Sequence, residues 1–242
     1  ATYDRFLKIC PKENIFILTH TDYIDLVKEQ LPDITNEQIL TEPARKNTAP
    51  CIAYSAFKIN KLNPDANIIV APSDHIILNE PEFVRIAEQA VDFVSKNNAL
   101  ATLGIRPTRP DTGYGYIQYF EEEISEGIHK VKTFTEKPEK EVAIQFLKSG
   151  DFLWNGGIFI WNVKTILSSL EKNLVEVYDA FVEAEPDILT PKENDAVEKA
   201  FITCPSISID YGIMEKANNV YTLPSSFGWS DLGTWASLYE EK

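Results

Sequence analysis

Cysteine, histidine and positive charge are all scarce in this 242-residue chain. Cys10, Cys51 and Cys204 stand far apart and form no C-x-x-C pair. That spacing argues against a thiolate zinc site and a disulfide framework, and it suits a reducing cytoplasm. His20, His75 and His129 show no H-x-x-x-H spacing, so a histidine metal site is not expected. No apolar run reaches the ~18 residues needed to span a bilayer, and the opening residues carry no secretory-signal pattern. There is no internal repeat, low-complexity tract or Gly/Ser linker. Lys and Arg number 23 against 37 Asp and Glu, a net charge of −14. Such acidity argues against nucleic acid as a bulk partner, because that binding rests on Lys and Arg neutralising phosphates. A nucleotide stays open, since one local basic group and a metal ion are enough to hold a phosphate.

What is present reads as a globular domain. The hydrophobic fraction is 44% and the charged fraction 25%, ordinary values for a folded chain. The length suits one large domain or two small ones. Short apolar runs alternate with helical periodicity through the first part. Strands are expected at residues 14–18, 38–40, 67–71 and 99–104, and helices at 22–31, 49–62 and 83–94. That alternation points to βαβ units and a parallel sheet. Beyond residue 110 the pattern turns more β-rich. Strands are expected at 115–120, 128–136, 152–161 and 220–223, with helices at 139–148, 163–183 and 196–201.

Several short motifs carry chemical potential, each with a plainer alternative. Asp74, in Ala71-Pro72-Ser73-Asp74-His75, follows a buried strand. Open α/β sheets bind ligands beyond the carboxyl ends of strands, and a carboxylate there suits Mg²⁺; the alternative is a turn cap. Asp231, in Gly228-Trp229-Ser230-Asp231-Leu232-Gly233-Thr234-Trp235, is either a second cation ligand or a helix N-cap. Tyr114 and Gly115 lie in a Gly-rich turn, Asp111-Thr112-Gly113-Tyr114-Gly115-Tyr116, that enters a strand. It is not G-x-G-x-x-G and does not open a helix, so it is no dinucleotide fingerprint. Glu136 and Lys137 precede Pro138, where a bend can bring both to one pocket; a solvated charge pair is the alternative. Asn155, in Trp154-Asn155-Gly156-Gly157, places an amide beside two glycines within an apolar strand, a sign of a bulge or a close ligand. In Thr41-Glu42-Pro43-Ala44-Arg45-Lys46-Asn47-Thr48-Ala49-Pro50, Asn47 or Thr48 is a credible N-cap. Glu42 there could accept both donors on the edge of guanine, or serve as a polar connector.

Taken together and in order, these motifs resemble the sugar-1-phosphate nucleotidylyltransferases. The likeness extends through Ile207-Ser208-Ile209-Asp210-Tyr211-Gly212-Ile213-Met214-Glu215-Lys216, a family motif in which Asp210 and Lys216 have no assigned role. That run and Gly228-Trp229-Ser230-Asp231-Leu232-Gly233 favour the mannose/guanosine branch. The resemblance implies an α/β, Rossmann-like nucleotidyltransferase fold with a mixed central sheet and helices on both faces. It implies one domain over 1–242, with roughly 1–110 binding nucleotide and 111–242 binding sugar. It implies transfer of GMP from GTP to mannose 1-phosphate, giving GDP-mannose and pyrophosphate, with Mg²⁺ held by Asp74 and Asp231. Glu136 and Asn155 would bind sugar hydroxyls beside the Gly115 backbone and Tyr114, and Lys137 would contact the sugar phosphate. Glu42, Asn47 and Thr48 would lie at the nucleotide. Homodimerisation stays open.

The chain departs from the family in lacking the opening Gly-rich loop G-G-x-G-x-R-x-x-P and its strand. An internal fragment is therefore expected, with a hydrophobic slot where that strand would lie and little turnover by the chain as it stands. A sugar-nucleotide-binding role without turnover, or a different hexose 1-phosphate, remains an alternative. Gly156 stands where Ser or Ala is more usual and is expected to matter little.

Overall fold

The computed structural model describes residues 1–231. Its elements are α1 (Thr2–Phe6), β1 (Ile17–His20), α2 (Ile24–Gln30), β2 (Ile39–Glu42), α3 (Thr48–Leu62), β3 (Asn67–Val70), β4 (Ile76–Ile77), α4 (Glu80–Lys96) and β5 (Leu100–Ile105). Then follow β6 (Tyr116–Ser125), β7 (Ile128–Thr135), α5 (Lys140–Ser149), β8 (Phe152–Asn162), α6 (Val163–Asn173), α7 (Val175–Ala184), α8 (Glu193–Thr203), β9 (Val220–Ser225) and β10 (Trp229–Ser230). The chain divides into two compact units. Among the described residues, unit 1 comprises 1–9, 67–162 and 218–231, and unit 2 comprises 10–66 and 163–217. The units interleave along the chain, and a cut near residue 110 falls inside unit 1, between β5 and β6.

Unit 1 is built on a six-stranded mixed sheet in the order β3-β8-β5-β9-β7-β6. β5 is buried along its whole length, because it runs antiparallel to β8 on one side and parallel to β9 on the other. β6 also pairs with β8, Tyr116 opposite Trp154, so β8, β5, β9, β7 and β6 are joined in a ring of pairings. β3 has a strand neighbour on one side only among the described residues. α4 packs on this sheet. Phe83, Ile86, Ala87, Ala90, Phe93 and Val94 line its buried face, and that three-and-four spacing is the signature of one helical side. Asn79 caps it, its side chain accepting from the Glu82 N–H. β4 and β10 form a small antiparallel pair of their own, which the sequence patterning misses because two-residue strands have no periodicity.

Unit 2 holds the parallel pair β1–β2 and a helical group. α3 packs on α6 and α7, and α7 on α8. Tyr54, Phe57 and Phe181 stack at its centre, and Phe181 meets Phe201 edge-on. The helix expected over 163–183 is two helices, broken at Leu174, whose non-helical backbone (φ −135°, ψ 56°) separates α6 from α7. β1 begins later than the apolar run suggests, and none of its residues is fully buried. Among the described residues, no helix is long and apolar enough to cross a membrane.

Candidate functional site

Most of the residues singled out in the sequence fall in unit 1, in two adjoining sets. The first forms where β4 meets β10. Ile76 lies opposite Ser230 and Ile77 opposite Trp229, so His75 and Asp231 follow directly at the same end of the pair. Trp229 Nε1 donates to His75 Nδ1 at 3.0 Å. An indole N–H only donates, so the neutral ring carries its proton on Nε2, which lies 3.9 Å from Asp74 Oδ1. Burial is the main force holding the His75 pKa below its usual range; Arg5 acts in the same direction, against the opposing fields of Asp74 and Asp231. Both aspartates thus act on a single imidazole, while Asp74 itself is 77% exposed.

Tyr114 completes this set. Its hydroxyl donates to Asp231 Oδ1 at 2.9 Å. Its ring is wedged edge-on between Trp154 and Trp229, with centroids 5.0 and 5.2 Å away. Burial, then the bond to Asp231, pushes the phenol up to about 12, so it stays a donor at neutral pH. Tyr114 is therefore a residue that orients Asp231 from a buried position.

The second set gathers Gly115, Glu136 and Asn155. The Asn155 N–H donates to the Gly115 carbonyl at 2.8 Å. A Cβ added at Gly115 would sit 2.6 Å from Glu136 Oε2, the movable end of that side chain, and 3.4 Å from Asn155 Cβ, so a larger residue here displaces the Glu136 carboxylate. Asn155 opens a bulge in β8. Opposite β5, Thr102 pairs with Phe159 but Gly104 with Asn155, so the strand gains residues there. Asn155 Oδ1 accepts from the Gly157 N–H at 3.1 Å, and Gly157 takes a positive φ of 64°. Added carbon at Gly157 would touch Pro72 and the His75 ring, so the bulge abuts the first set. Gly156 has less latitude than expected: a Cβ there would lie 3.2 Å from the Leu103 carbonyl oxygen and from Ile105 Cγ1.

Glu136 and Lys137 follow directly on β7. Lys137 adopts a left-handed φ of 42°, a bend immediately before Pro138. Its amine lies 3.6 Å from Glu136 Oε1, with the lysine side chain 63% exposed. The bend and the solvated pair are thus both present.

Glu42, Asn47 and Thr48 belong to unit 2. Glu42 ends β2, and its Oε2 accepts from Cys51 Sγ at 3.2 Å. Burial first, and Glu42 second, push the Cys51 thiol far up, so it remains a thiol donor. Asn47 is the N-cap of α3, accepting from the Thr48 N–H at 2.8 Å. Thr48 turns elsewhere: its Oγ1 accepts from the Ile209 N–H at 2.9 Å. Ala49 N–H donates to the Ile207 carbonyl, and Ile207 N–H to that of Lys46. The run from Ile207 to Lys216, whose role is not legible in sequence, thereby braces the start of α3. Its π-helical turn at Asp210–Met214 packs Gly212 against Leu174, where a Cβ would meet Cδ1 at 2.5 Å.

Two supporting residues and one contact escaped the sequence reading. Trp229 is visible only as part of a motif, Cys51 only by its position nine residues after Glu42, and the second contact of Thr48 has no local signal at all. Leu232, Gly233, Thr234 and Trp235 lie outside the described residues, and with them the helix of the alternative in which Asp231 is an N-cap. Among the described residues, no group of three or more His, Cys, Asp or Glu side chains is arranged to hold a metal. Asp74 and Asp231 each present carboxylate oxygens, the donor type that Mg²⁺ takes alongside phosphate oxygens and water.

The sequence model of the nucleotidyl transferase family matches residues 2–242. Mannose-1-phosphate guanylyltransferase RfbM of Salmonella typhimurium is 38% identical over 220 residues, covering 89% of this chain and 46% of the relative. Alginate biosynthesis protein AlgA of Pseudomonas fluorescens is 35% identical over 230 residues, covering 92% of this chain and 47% of the relative. The chain thus spans about half the length of the curated relatives it matches. A crystal structure from Thermus thermophilus, described as a mannose-1-phosphate geranyltransferase, aligns with a TM-score of 0.85 at 27% identity, over 99% of this chain and 67% of that one.

Proposed function

The chain belongs to the nucleotidyl transferase family, and on that premise we propose that it carries the sugar-nucleotide site of an enzyme that transfers GMP from GTP to mannose 1-phosphate. The observation that supports this most is the junction in unit 1 of Gly115, Glu136 and Asn155 with the His75–Trp229 pair and its two aspartates. A carboxylate and a carboxamide flanking an open glycine suit sugar hydroxyls, which both donate and accept. The names of the guanylyltransferase relatives supply the sugar and the base.

In this reading the phosphate of mannose 1-phosphate attacks the α-phosphorus of GTP in line, and pyrophosphate leaves. The attacking oxygen is already anionic, so no general base is needed, and catalysis consists of positioning and charge neutralisation. Glu136 accepts from hydroxyls of the hexose, Asn155 offers its amide, and the Gly115 backbone lets the ring approach. Lys137, on its exposed bend, meets the sugar phosphate as a point charge. Asp74 and Asp231 are the ligands proposed for Mg²⁺, which when bound neutralises charge on the reacting phosphates. Tyr114 holds Asp231 and His75 faces Asp74. Glu42, Asn47 and Thr48 are proposed for the guanosine end, Glu42 by accepting from the N1–H and 2-amino group.

Calorimetric titration of the chain with GDP-mannose in Mg²⁺, with UDP-glucose as control, tests this. Selective binding of GDP-mannose that weakens on chelation of the metal, and in Asp231→Asn, is expected. Equal binding of both nucleotide sugars, or none of either, overturns the assignment of sugar and base.

A further inference from the structure

Asn47, the N-cap of α3, has an uncommon backbone. Its φ of 68° and ψ of −171° lie in a region that glycine enters freely. Other residues stay there only where their surroundings over-determine it. Ile207 grips the chain on both sides of Asn47. The Ile207 N–H donates to the Lys46 carbonyl at 3.2 Å, and the Ala49 N–H donates to the Ile207 carbonyl at 3.1 Å. Two residues further on, the Ile209 N–H donates to Thr48 Oγ1 at 2.9 Å. Lys46 Nζ adds bonds to the Cys204 and Ile202 carbonyls. Ile209 is buried and leads directly into the π-helical turn Asp210–Met214, so the segment that holds Asn47 is itself anchored.

These bonds also decide what the start of α3 can offer a ligand. Helix N-termini attract anions through unpaired N–H groups. Here the Thr48 N–H is taken by Asn47 Oδ1, the Ala49 N–H by Ile207, and Pro50 has none. The first turn is therefore a poor phosphate cradle. What it presents instead is the exposed Asn47 carboxamide. Its Oδ1 is engaged by the Thr48 N–H, and its Nδ2 donates to no acceptor among the described residues.

We propose that Thr48 is a positioning residue whose hydroxyl, latched to the Ile209 N–H, holds Asn47 in this conformation, so that Asn47 Nδ2 donates to an uncharged acceptor of a bound nucleoside. Thr48 thus acts through Asn47 and not by a contact of its own. The ligand half rests on the reading of Glu42 and Asn47 as the guanosine end; the latch half rests on the bonds within unit 2 alone. A hydroxyl oxygen accepts from a backbone N–H, which the same-shaped side chain of valine cannot do. The motif from Ile207 to Lys216 thereby fixes the backbone of a residue far away in the chain.

A double-mutant cycle on the full chain tests this, read by calorimetric titration with GDP-mannose and by amide hydrogen exchange. Glycine takes the Asn47 backbone without strain and is a tolerated N-cap. Asn47→Gly should therefore keep the fold while affinity falls about tenfold, the scale of one lost hydrogen bond. Thr48→Val should weaken binding about fivefold by itself, and less than about twofold in the Asn47→Gly background, where nothing is left for it to position. Thr48→Ser keeps the oxygen and should bind within about twofold of the unaltered chain. Exchange at the Ile209 and Ala49 amides should quicken about tenfold in Thr48→Val and stay slow in Thr48→Ser. The β5 amides should not change in either variant, which separates loss of the latch from loss of the fold. Additive effects in the double variant, binding by Thr48→Ser as weak as by Thr48→Val, or unchanged Ala49 exchange in Thr48→Val each overturn the positioning role. Failure of the unaltered chain to prefer GDP-mannose overturns the guanosine-end reading instead, and exchange still decides the latch.

Discussion

Tyr114 contributes a single hydroxyl to the candidate site, and that hydroxyl is replaceable without disturbing the ring between Trp154 and Trp229. Tyr114→Phe should therefore cost only about 1 kcal/mol of stability, measured by urea unfolding. Metal-dependent GDP-mannose binding should fall much further, since Asp231 loses the donor that aims it; unchanged binding would remove Tyr114 from the site. Gly115 makes the reverse case. Gly115→Ala forces a carbon to within 2.6 Å of Glu136 Oε2, so Glu136 has to move. Nucleotide-sugar affinity should drop by at least tenfold while the fold persists, a split that calorimetry and circular dichroism read directly. Cys51 acts through Glu42. Cys51→Ala, tested by competition between guanosine and adenosine nucleotides, should narrow the preference for guanine if the thiol orients the carboxylate for base recognition.

Among the elements, the contact of α8 with α3 is the clearest case where charge and packing meet. Glu193, the first residue of α8, accepts from Lys58 at 2.8 Å, and also from Tyr54 and from the Leu189 N–H. Burial by itself would raise the Glu193 pKa, but those hydrogen bonds outweigh it and hold the carboxyl below its usual range. A carboxyl depressed on folding contributes stability that is complete above its unfolded pKa and is lost as pH falls through the folded one. Glu193→Gln leaves the buried Lys58 amine without its countercharge, and should cost about 3 kcal/mol near neutrality. That difference should shrink as pH drops below the ordinary glutamate pKa of about 4.3, which urea midpoints collected from neutrality into the acid range will show. The amphipathic helices are legible in sequence for a simple reason: α4 buries one side and solvates the other, so its period survives in the residue order. The bulge in β8 is half legible. Two glycines announce an irregularity, but the register shift against β5 depends on a partner far away in the chain. β4 and β10 are invisible beforehand because pairing alone defines them.

For the molecule as a whole, the excess of acidic residues is the dominant long-range term. Fourteen uncompensated negative charges repel one another in the folded state, and salt screens exposed charges beyond about 10 Å at 0.1 M. The urea midpoint should therefore rise as sodium chloride is raised from roughly 0.02 to 0.2 M, across the range where screening sets in, before any specific ligand is added. A midpoint that falls or stays level would mean that exposed local ion pairs such as Lys164–Asp65 outweigh net repulsion. The two compact units bear on the order of motifs too. Both are assembled from separated stretches of chain, so motif order along the sequence does not reveal which residues share a unit.

The residue order alone determined the α/β alternation, the amphipathic helices and the family likeness, and it singled out Asp74, Glu136, Asn155 and Asp231 as candidates. Each of these rests on local periodicity or on a short motif, and such information lies within a few residues of chain. Only the tertiary structure decided that Asp74 and Asp231 both act on His75, that Tyr114 holds Asp231, and that the motif from Ile207 to Lys216 braces the start of α3. Those facts depend on strand register and on packing between distant segments, and no local pattern encodes the partner that a side chain will meet.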